Sequence, residues 1–518
     1  MKNISKASSF LIFSLIISFA GFSQGFSSEN KSKTNRIDFD TAYKSPIGNT
    51  VLAKVGNEKI TVREFLCGYE FGPAFVKREG DSKRRYLNYM IDEKLLAMKG
   101  YKEGFGDSAR VKDLLDAIEG DLASMEMYKD DILKKVTIPA DMLNRAIEES
   151  KITYKLKWIY APTTDSMGFY VSELGRGISF DSLFNLQLKD SIVYADERSL
   201  EETKFNLRMS NLAMFKDVDK MKAGDISEPT KGPDGWYLVK LVDVWKNLIT
   251  TQTEFEKEEY DSRQVLTMNI ADTLSDEYVR AMMLEHNPVI QARAFDILRS
   301  YMGNFVLPEK KFNEWNLDAR MKNEIAHFDS LRIQDLTKLS LVTLKDGNIF
   351  LSDFINWYKM RDEYLKFNES GFNPFSASLE QMIWRMVRDH LLVQRAYKRG
   401  YQNLDIVKQQ ADWWQDKIVY AVVRDEIGKS VGLDIELPPS VKAKNTEDKN
   451  QEMITKIFRT LQQLKKQYKV EINENVLKEI QVQDRNDPKA IDAYIVRKGG
   501  TFPHPAFPSI DYSWQDWE

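Results

Sequence analysis

The residue types that most often carry chemistry are scarce in this chain. Four histidines, His286, His327, His390 and His504, are spread over 518 residues, and Cys67 is the single cysteine. One thiol excludes an internal disulfide framework and a thiolate metal cage, and so thin a histidine set argues against histidine-rich metal chemistry. Cys67 follows Leu66 in a helical pattern with no histidine or acid arranged to activate it, and reads as a structural thiol. His390 falls on a charged helix face and reads as solvated, as does the acidic run Glu254–Glu259. No Walker loop, G-x-G-x-x-G after a strand, H-E-x-x-H or G-x-S-x-G occurs, and no metal or cofactor is expected.

The rest of the composition narrows the class. Hydrophobic residues make up 42% and charged residues 29%, a globular balance, and the length allows roughly three or four domains. Lys+Arg 74 against Asp+Glu 78 leaves a formal charge of −4, without the basic face that a nucleic-acid binder needs. Lys2 and Lys6 precede an apolar run from Phe10 to Phe19, and Gly21 and Ser23 are small residues ahead of Gln24. That is the layout of an export signal at residues 1–23, cleaved between Ser23 and Gln24 and too short for a comfortable membrane span. Its removal takes the charge to −4 − 2 = −6. No second apolar run of membrane-spanning length follows, so a soluble exported protein without an integral span is expected. The near-absence of cysteine points to a bacterial envelope, the periplasm, over a eukaryotic secretory path.

The elements come next. Residues 24–48 are polar and read as a flexible leader. VLAKVGNEKIT from Val51 reads as a hairpin turning at Gly56-Asn57, and Thr61-x-x-Glu64 is a capping box that opens a helix. Helices follow over about 83–100, 107–134 and from Pro139 to Ser150, closing a helical module at 49–150. An internal repeat then sets the plan. Residues 51–70 resemble 342–359, with Phe65 matching Phe354 and Tyr69 matching Tyr358, an offset of 354 − 65 = 289. Residues 90–105 resemble 386–401, with Met90 matching Met386, an offset of 386 − 90 = 296. Between the copies, 151–248 has a mixed α/β pattern and 252–340 is helical and charged. The second module thus spans 252–430, with the repeat at 342–427. A linker at 431–451 and a segment at 452–518 close the chain, the latter a helix, a short strand, a helix and a Pro/aromatic tail read as lying extended on a surface.

The mixed segment carries recognisable residues. KVGNEKITVREF with the later GYKEGF resembles the N-terminal module of exported parvulin-type foldases of the SurA/PpiD/PrsA kind. TIPADMLNRAIEESKITYKLKWIYAP at 137–162 resembles their entry into a parvulin domain. GISFDSLF at 177–184 and AGDISEPTKGPDGWYLVKLVD at 223–243 are similar to two of its motifs, the second being the most specific. The resemblance implies an α+β fold, in which mostly helical, duplicated modules accompany one parvulin-like α/β domain with a small antiparallel sheet at 151–248. It also implies packing of the C-terminal helices onto the N-terminal module, peptidyl-prolyl isomerase activity, and chaperoning of unfolded exported clients.

The departures fall on the chemistry. The two motif histidines of the family correspond here to Trp158 and Tyr237, the glycine-rich segment has no counterpart in NLRMSNLAMF, and Met214 or Phe215 stands nearest the family's proline-pocket phenylalanine. X–Pro rotation faces a barrier of about 18–20 kcal/mol, and a catalyst must desolvate the twisting imide and stabilise its changing charge. Trp158 offers only a donor, and Tyr237 only a hydroxyl. Weak or lost isomerase activity is therefore expected, with Trp158, Tyr237, Met214 and Phe215 either packing the sheet or lining a peptide-binding groove. Three functions stay open: a periplasmic holdase for unfolded exported or outer-membrane proteins, an active isomerase with an altered pocket, and an accessory subunit of an envelope or secretion complex.

Overall fold

The computed structural model describes residues 37–38, 41–42, 45–71, 81–191, 194–326, 336–362, 365–433, 447–482, 500–505 and 507. The stretch read as an export signal, residues 434–446 of the linker and His327 lie outside the described residues. The fold is α+β: helices dominate, with three small antiparallel sheets. Two compact units divide the chain, one holding Lys135–Thr273, the other Ser32–Lys134 with Leu274–Glu518. Among the described residues, no helix is long and apolar enough to cross a membrane.

The chain enters through hairpin β1 (Val51–Val55) and β2 (Glu58–Thr61), turning at Gly56-Asn57. Alternation sends Ala53, Val55 and Ile60, the partner of Ala53, to one buried side, and the bulge between Val51 and Ala53 lets Leu52 bury as well. Helix α1 (Val62–Phe71) starts with both halves of the capping box: the Thr61 backbone N–H donates to Glu64 Oε2 at 2.6 Å, and the Glu64 N–H donates to Thr61 Oγ1 at 3.2 Å. Helices α2 (Ser82–Lys102) and α3 (Ala109–Asp131) follow.

The sheet unit comprises α4 (Ala140–Ser150), β3 (Ile152–Ala161), α5 (Thr164–Gly175), α6 (Phe180–Ser191), β4 (Ser199–Thr203), α7 (Lys204–Ser210), β5 (Thr230–Lys231), β6 (Trp236–Lys246) and the start of α8 (Gln252–His286). The strands lie in the order β4-β3-β6-β5, all antiparallel. Helix α4 belongs to this unit: Leu143, Ala146 and Ile147 bury against Phe205 and Leu266.

The second module continues through β7 (Val289–Ile290), α9 (Ala292–Val306), α10 (Glu309–Glu314) and α11 (Leu317–Ala326) into the second copy: β8 (Ser340–Leu344), β9 (Gly347–Phe350), α12 (Leu351–Lys359), α13 (Phe372–Lys398) and α14 (Asp405–Ser430). Hairpin β8–β9 reproduces β1–β2 down to a bulge at the matching point. Phe65 and Phe354 are both fully buried. Gly104 at φ 82° and Gly400 at φ 84° make the same left-handed turn, 400 − 104 = 296 residues apart. One further strand joins each hairpin: β7, from earlier in the chain, pairs with β8, and β10 (Val470–Ile472), between α15 (Glu447–Gln467) and α16 (Glu474–Glu479), pairs with β1.

The last helix of each copy is exchanged. Helix α14 packs along α2, and α3 packs along α13. Gly100 on α2 is what allows the first approach, because a Cβ there would lie 2.5 Å from Val419 and 2.8 Å from Val423. The exchange places matching charged positions face to face. Glu93 on α2 accepts from Lys417 on α14 at 3.0 Å. Their counterparts, at 93 + 296 = 389 and 417 − 296 = 121, are Asp389 and Asp121, two acids. Arg361 sits with them, 2.7 Å from Asp121 and 3.8 Å from Asp389, with all three side chains at 6% exposure or less. Trp357 Nε1 donates to Asp389 at 2.8 Å.

Three expectations need correction. The leader is not flexible throughout: Ile37 is buried, its N–H donates to Glu479 O at 3.1 Å, and Gln481 N donates to Ile37 O at 2.9 Å, because the returning chain end offers unpaired backbone groups. His390 is not solvated but half-buried, and loss of water holds its imidazole below the ordinary value against the attraction of Asp353. The described part of the tail is not laid on an outer surface. Phe502 is 2% exposed, with ring centroids 5.1 Å from Tyr128 and 5.7 Å from Tyr278, and Phe507 stacks on Trp414 at 4.3 Å.

Candidate functional site

Strand β3 runs against β6 with Leu156 opposite Leu241, Trp158 opposite Val239 and Tyr160 opposite Tyr237. Alternation sends these pairs to one face of the sheet and Ile159, Ala161 and Leu238 to the other, where Met167, Phe180, Leu183 and Phe184 of α5 and α6 cover them. Trp158 and Tyr237 are thus diagonal neighbours on adjacent strands, the placement that the motif resemblance implies for the pair.

The segment after α7 closes over this first face. Met214 and Phe215 turn inward and pack with Leu207 and Val218 against Trp158, Tyr237, Val239 and Leu241. The Trp158 and Phe215 rings meet edge to face at 6.1 Å, and Tyr160 and Tyr237 lie 5.3 Å apart. All four residues singled out in the sequence therefore share one cluster. They are also tightly enclosed, with exposures of 4% for Trp158, 1% for Tyr237 and 6% for Met214 and Phe215. Half-buried Tyr160, Leu200, Leu212 and Met221 form the rim.

The most specific sequence stretch, 223–235, tracks the outer edge of β6. Gly224 N donates to Leu241 O at 2.7 Å, Ser227 N donates to Val239 O at 2.7 Å, and Val239 N donates to Ser227 Oγ at 3.0 Å. The turn Gly232–Gly235 then brings Asp234 beneath two phenols. Tyr237 Oη donates to Asp234 Oδ1 at 2.6 Å, and Tyr160 Oη donates to the Asp234 carbonyl at 2.6 Å. Burial, and then the Asp234 carboxylate, push the Tyr237 phenol far above its ordinary value. Tyr154, hydrogen-bonded to Asp219 at 3.0 Å, is pushed up to about 12 by the same two causes.

The arrangement has a definite chemical content. No histidine or cysteine lies anywhere in 135–273. The three phenols of this face, Tyr154, Tyr160 and Tyr237, already donate their protons within the chain and stay protonated at neutral pH. The rim of this face is aromatic and aliphatic, and none of Tyr160, Leu200, Leu212 and Met221 transfers protons near pH 7.

Sequence reading missed two residues here. Gln187 of α6 is 6% exposed and lies beside β3 where that strand outruns β4: Tyr160 N donates to its Oε1 at 3.0 Å, and its Nε2 donates to Tyr160 O at 2.5 Å. Arg198, just before β4, is 9% exposed and lies over the Tyr160 ring at 4.9 Å. Neither position stands out by periodicity or motif. Of the remaining sequence candidates, Cys67 is buried on α1 in the other unit, His286 Nδ1 lies 3.0 Å from Asp346, and His504 Nδ1 lies 2.9 Å from the Pro505 carbonyl.

No protein-family model matches the chain, and no curated protein does. Solved structures similar to part of it include two PrsA proteins. The peptidylprolyl isomerase PrsA from Bacillus cereus is 16% identical, over 44% of this chain and 92% of that one, with a TM-score of 0.22. PrsA from Bacillus subtilis is 14% identical, over 44% of this chain and 93% of that one, with a TM-score of 0.16.

Proposed function

We propose that this chain is an exported folding chaperone of parvulin-like build that holds unfolded polypeptide without isomerase chemistry of its own. The observation that carries this reading is the pairing of Trp158 and Tyr237. They occupy the two strand positions where the resembling family places histidines, on one face of neighbouring strands, and both are buried. Imide rotation assisted by imidazole has no imidazole here, and the one hydroxyl that replaces it is committed to Asp234. Polypeptide binding asks less of the site: apolar side chains that accept many sequences and a polar rim that keeps the complex soluble. The sheet unit leaves Phe169, Val171, Ile178 and Leu186 exposed on and beside α5 and α6, and the other unit leaves Leu284, Tyr301 and Phe305 exposed. The envelope compartment follows from the N-terminal segment, and the clients proposed are unfolded exported or outer-membrane proteins. The docked-subunit reading relied on the Pro/aromatic tail at 502–518, of which Phe502 and Phe507 are occupied within this chain and 508–518 lie outside the described residues.

The test is light scattering of a denatured client diluted into buffer. The mature protein at a one-to-one ratio is expected to cut the aggregation signal at least several-fold without ATP. An unchanged signal at a fivefold excess contradicts the proposal.

A further inference from the structure

Arg198 is a charged side chain buried beside the aromatic rim of the sheet unit. Its residue is 9% exposed, and its Nε is buried with no hydrogen-bond partner. Among the described residues no carboxylate comes within ion-pair reach of it. Asp234 and Glu197 act on it only at longer range, and loss of water draws the guanidinium below its ordinary value. An arginine presents five donors in a rigid planar fork, and burying its Nε donor without an acceptor is costly. The surroundings hold that fork in place. The Tyr160 ring supplies a flat platform 4.9 Å away. Tyr160 itself is fixed by its hydroxyl bond to the Asp234 carbonyl and by the two Gln187 bonds to its backbone.

The position in the fold points to a ligand. Strand β4 starts at Ser199, opposite Lys157, so β3 continues past it through Trp158, Tyr160 and Ala161. Arg198 stands at the corner where that pairing stops, beside the aromatic rim of the proposed polypeptide-holding face. The planar acceptor that matches a guanidinium with two parallel hydrogen bonds is a carboxylate. The aromatic neighbours suit a carboxylate carried on a peptide better than a free small anion, which would gain nothing from them.

We propose that Arg198 reads a carboxylate on the bound polypeptide, the corner between β3 and the start of β4 receiving an acidic side chain or a chain's C-terminal carboxylate against the Tyr160 platform. This rests on the polypeptide-holding reading and specifies what that face prefers.

The experiment uses the full mature chain and three fluorescein-labelled peptides of one aromatic-rich sequence, read by anisotropy. The first carries an internal Glu and an amidated C-terminus. The second has Gln in place of Glu. The third has that Gln and a free C-terminal carboxylate. The expected result is that the first, the third or both bind about tenfold more tightly than the second, and which of them does so identifies the source of the carboxylate. Arg198→Gln is expected to remove the preference for a carboxylate, and Arg198→Lys to keep part of it. Equal affinity of all three peptides for the unaltered protein overturns this proposal and leaves the holding function standing. A preference that survives intact in Arg198→Gln overturns it as well. Absence of binding by all three overturns both. The comparison of peptides on the unaltered protein stands even where a variant fails to fold.

Discussion

Arg361→Met is expected to lower the stability of the unit that holds both repeats by about 3–5 kcal/mol, the range for removing one partner of a buried ion pair. The exchange of α3 and α14 forces the cause. It brings position 93 against 417 and position 389 against 121, and only the first couple has opposite charges. The second couple is Asp389 and Asp121, both nearly without water; Arg361 lies 2.7 Å from Asp121 and 3.8 Å from Asp389, which Arg388 also holds at 2.6 Å. Methionine keeps much of the volume and removes that charge, so Asp121 loses its 2.7 Å ion pair in a low-dielectric space with a second acid, Asp389, nearby. Adding Asp121→Lys to that variant rebuilds the acid–base couple of the other copy and is expected to recover more than half of the loss. Urea unfolding followed by circular dichroism measures both. A loss under about 1 kcal/mol for Arg361→Met, or no recovery in the double variant, contradicts the charge argument.

Trp158→Ala is expected to cost the sheet unit about 3–5 kcal/mol, the range for truncating a large buried aromatic. The side chain is enclosed by Phe215, Met214 and Val239, and its removal leaves a hole that this short segment cannot refill. The prediction separates two meanings of the same residue. A tryptophan that floors an open groove in the free protein is already half in water, and its loss barely affects folding. One that closes the sheet's core is missed at once. Amide exchange of β3 and β6 backbone groups reads the effect within the unit itself. Protection unchanged within about 1 kcal/mol would mean that the face opens to solvent and that the groove lies where the core has been placed.

Local features of the fold were legible in the residues. Gly56-Asn57 marked its hairpin, Thr61 and Glu64 marked the start of α1, and Phe65 with Phe354 revealed the repeat, because turns, caps and periodicity act between neighbours in sequence. The juxtaposition of Trp158 and Tyr237 came from motif resemblance alone. Contacts over hundreds of residues left no such trace. Nothing in the periodicity of α3 or α14 says which second helix each will pack on, and the polar look of 24–48 hid Ile37, whose partners arrive with α16. The half-burial of His390 follows from packing around a helix that its own charge pattern presents as solvated. Arg198 illustrates the same limit at the candidate site, since its burial depends on a tyrosine 38 residues earlier, 198 − 160, and on where β4 begins.

The most direct test of a holding face without imidazole chemistry is the refolding of a client whose slow phase is set by proline isomerisation, followed with the mature protein present from catalytic to stoichiometric amounts. At 25 °C that uncatalysed phase runs over tens to hundreds of seconds. The account predicts that the soluble yield rises with the amount of protein while the rate constant of the slow phase stays the same. A slow phase that quickens in proportion to catalytic amounts of the protein would contradict it.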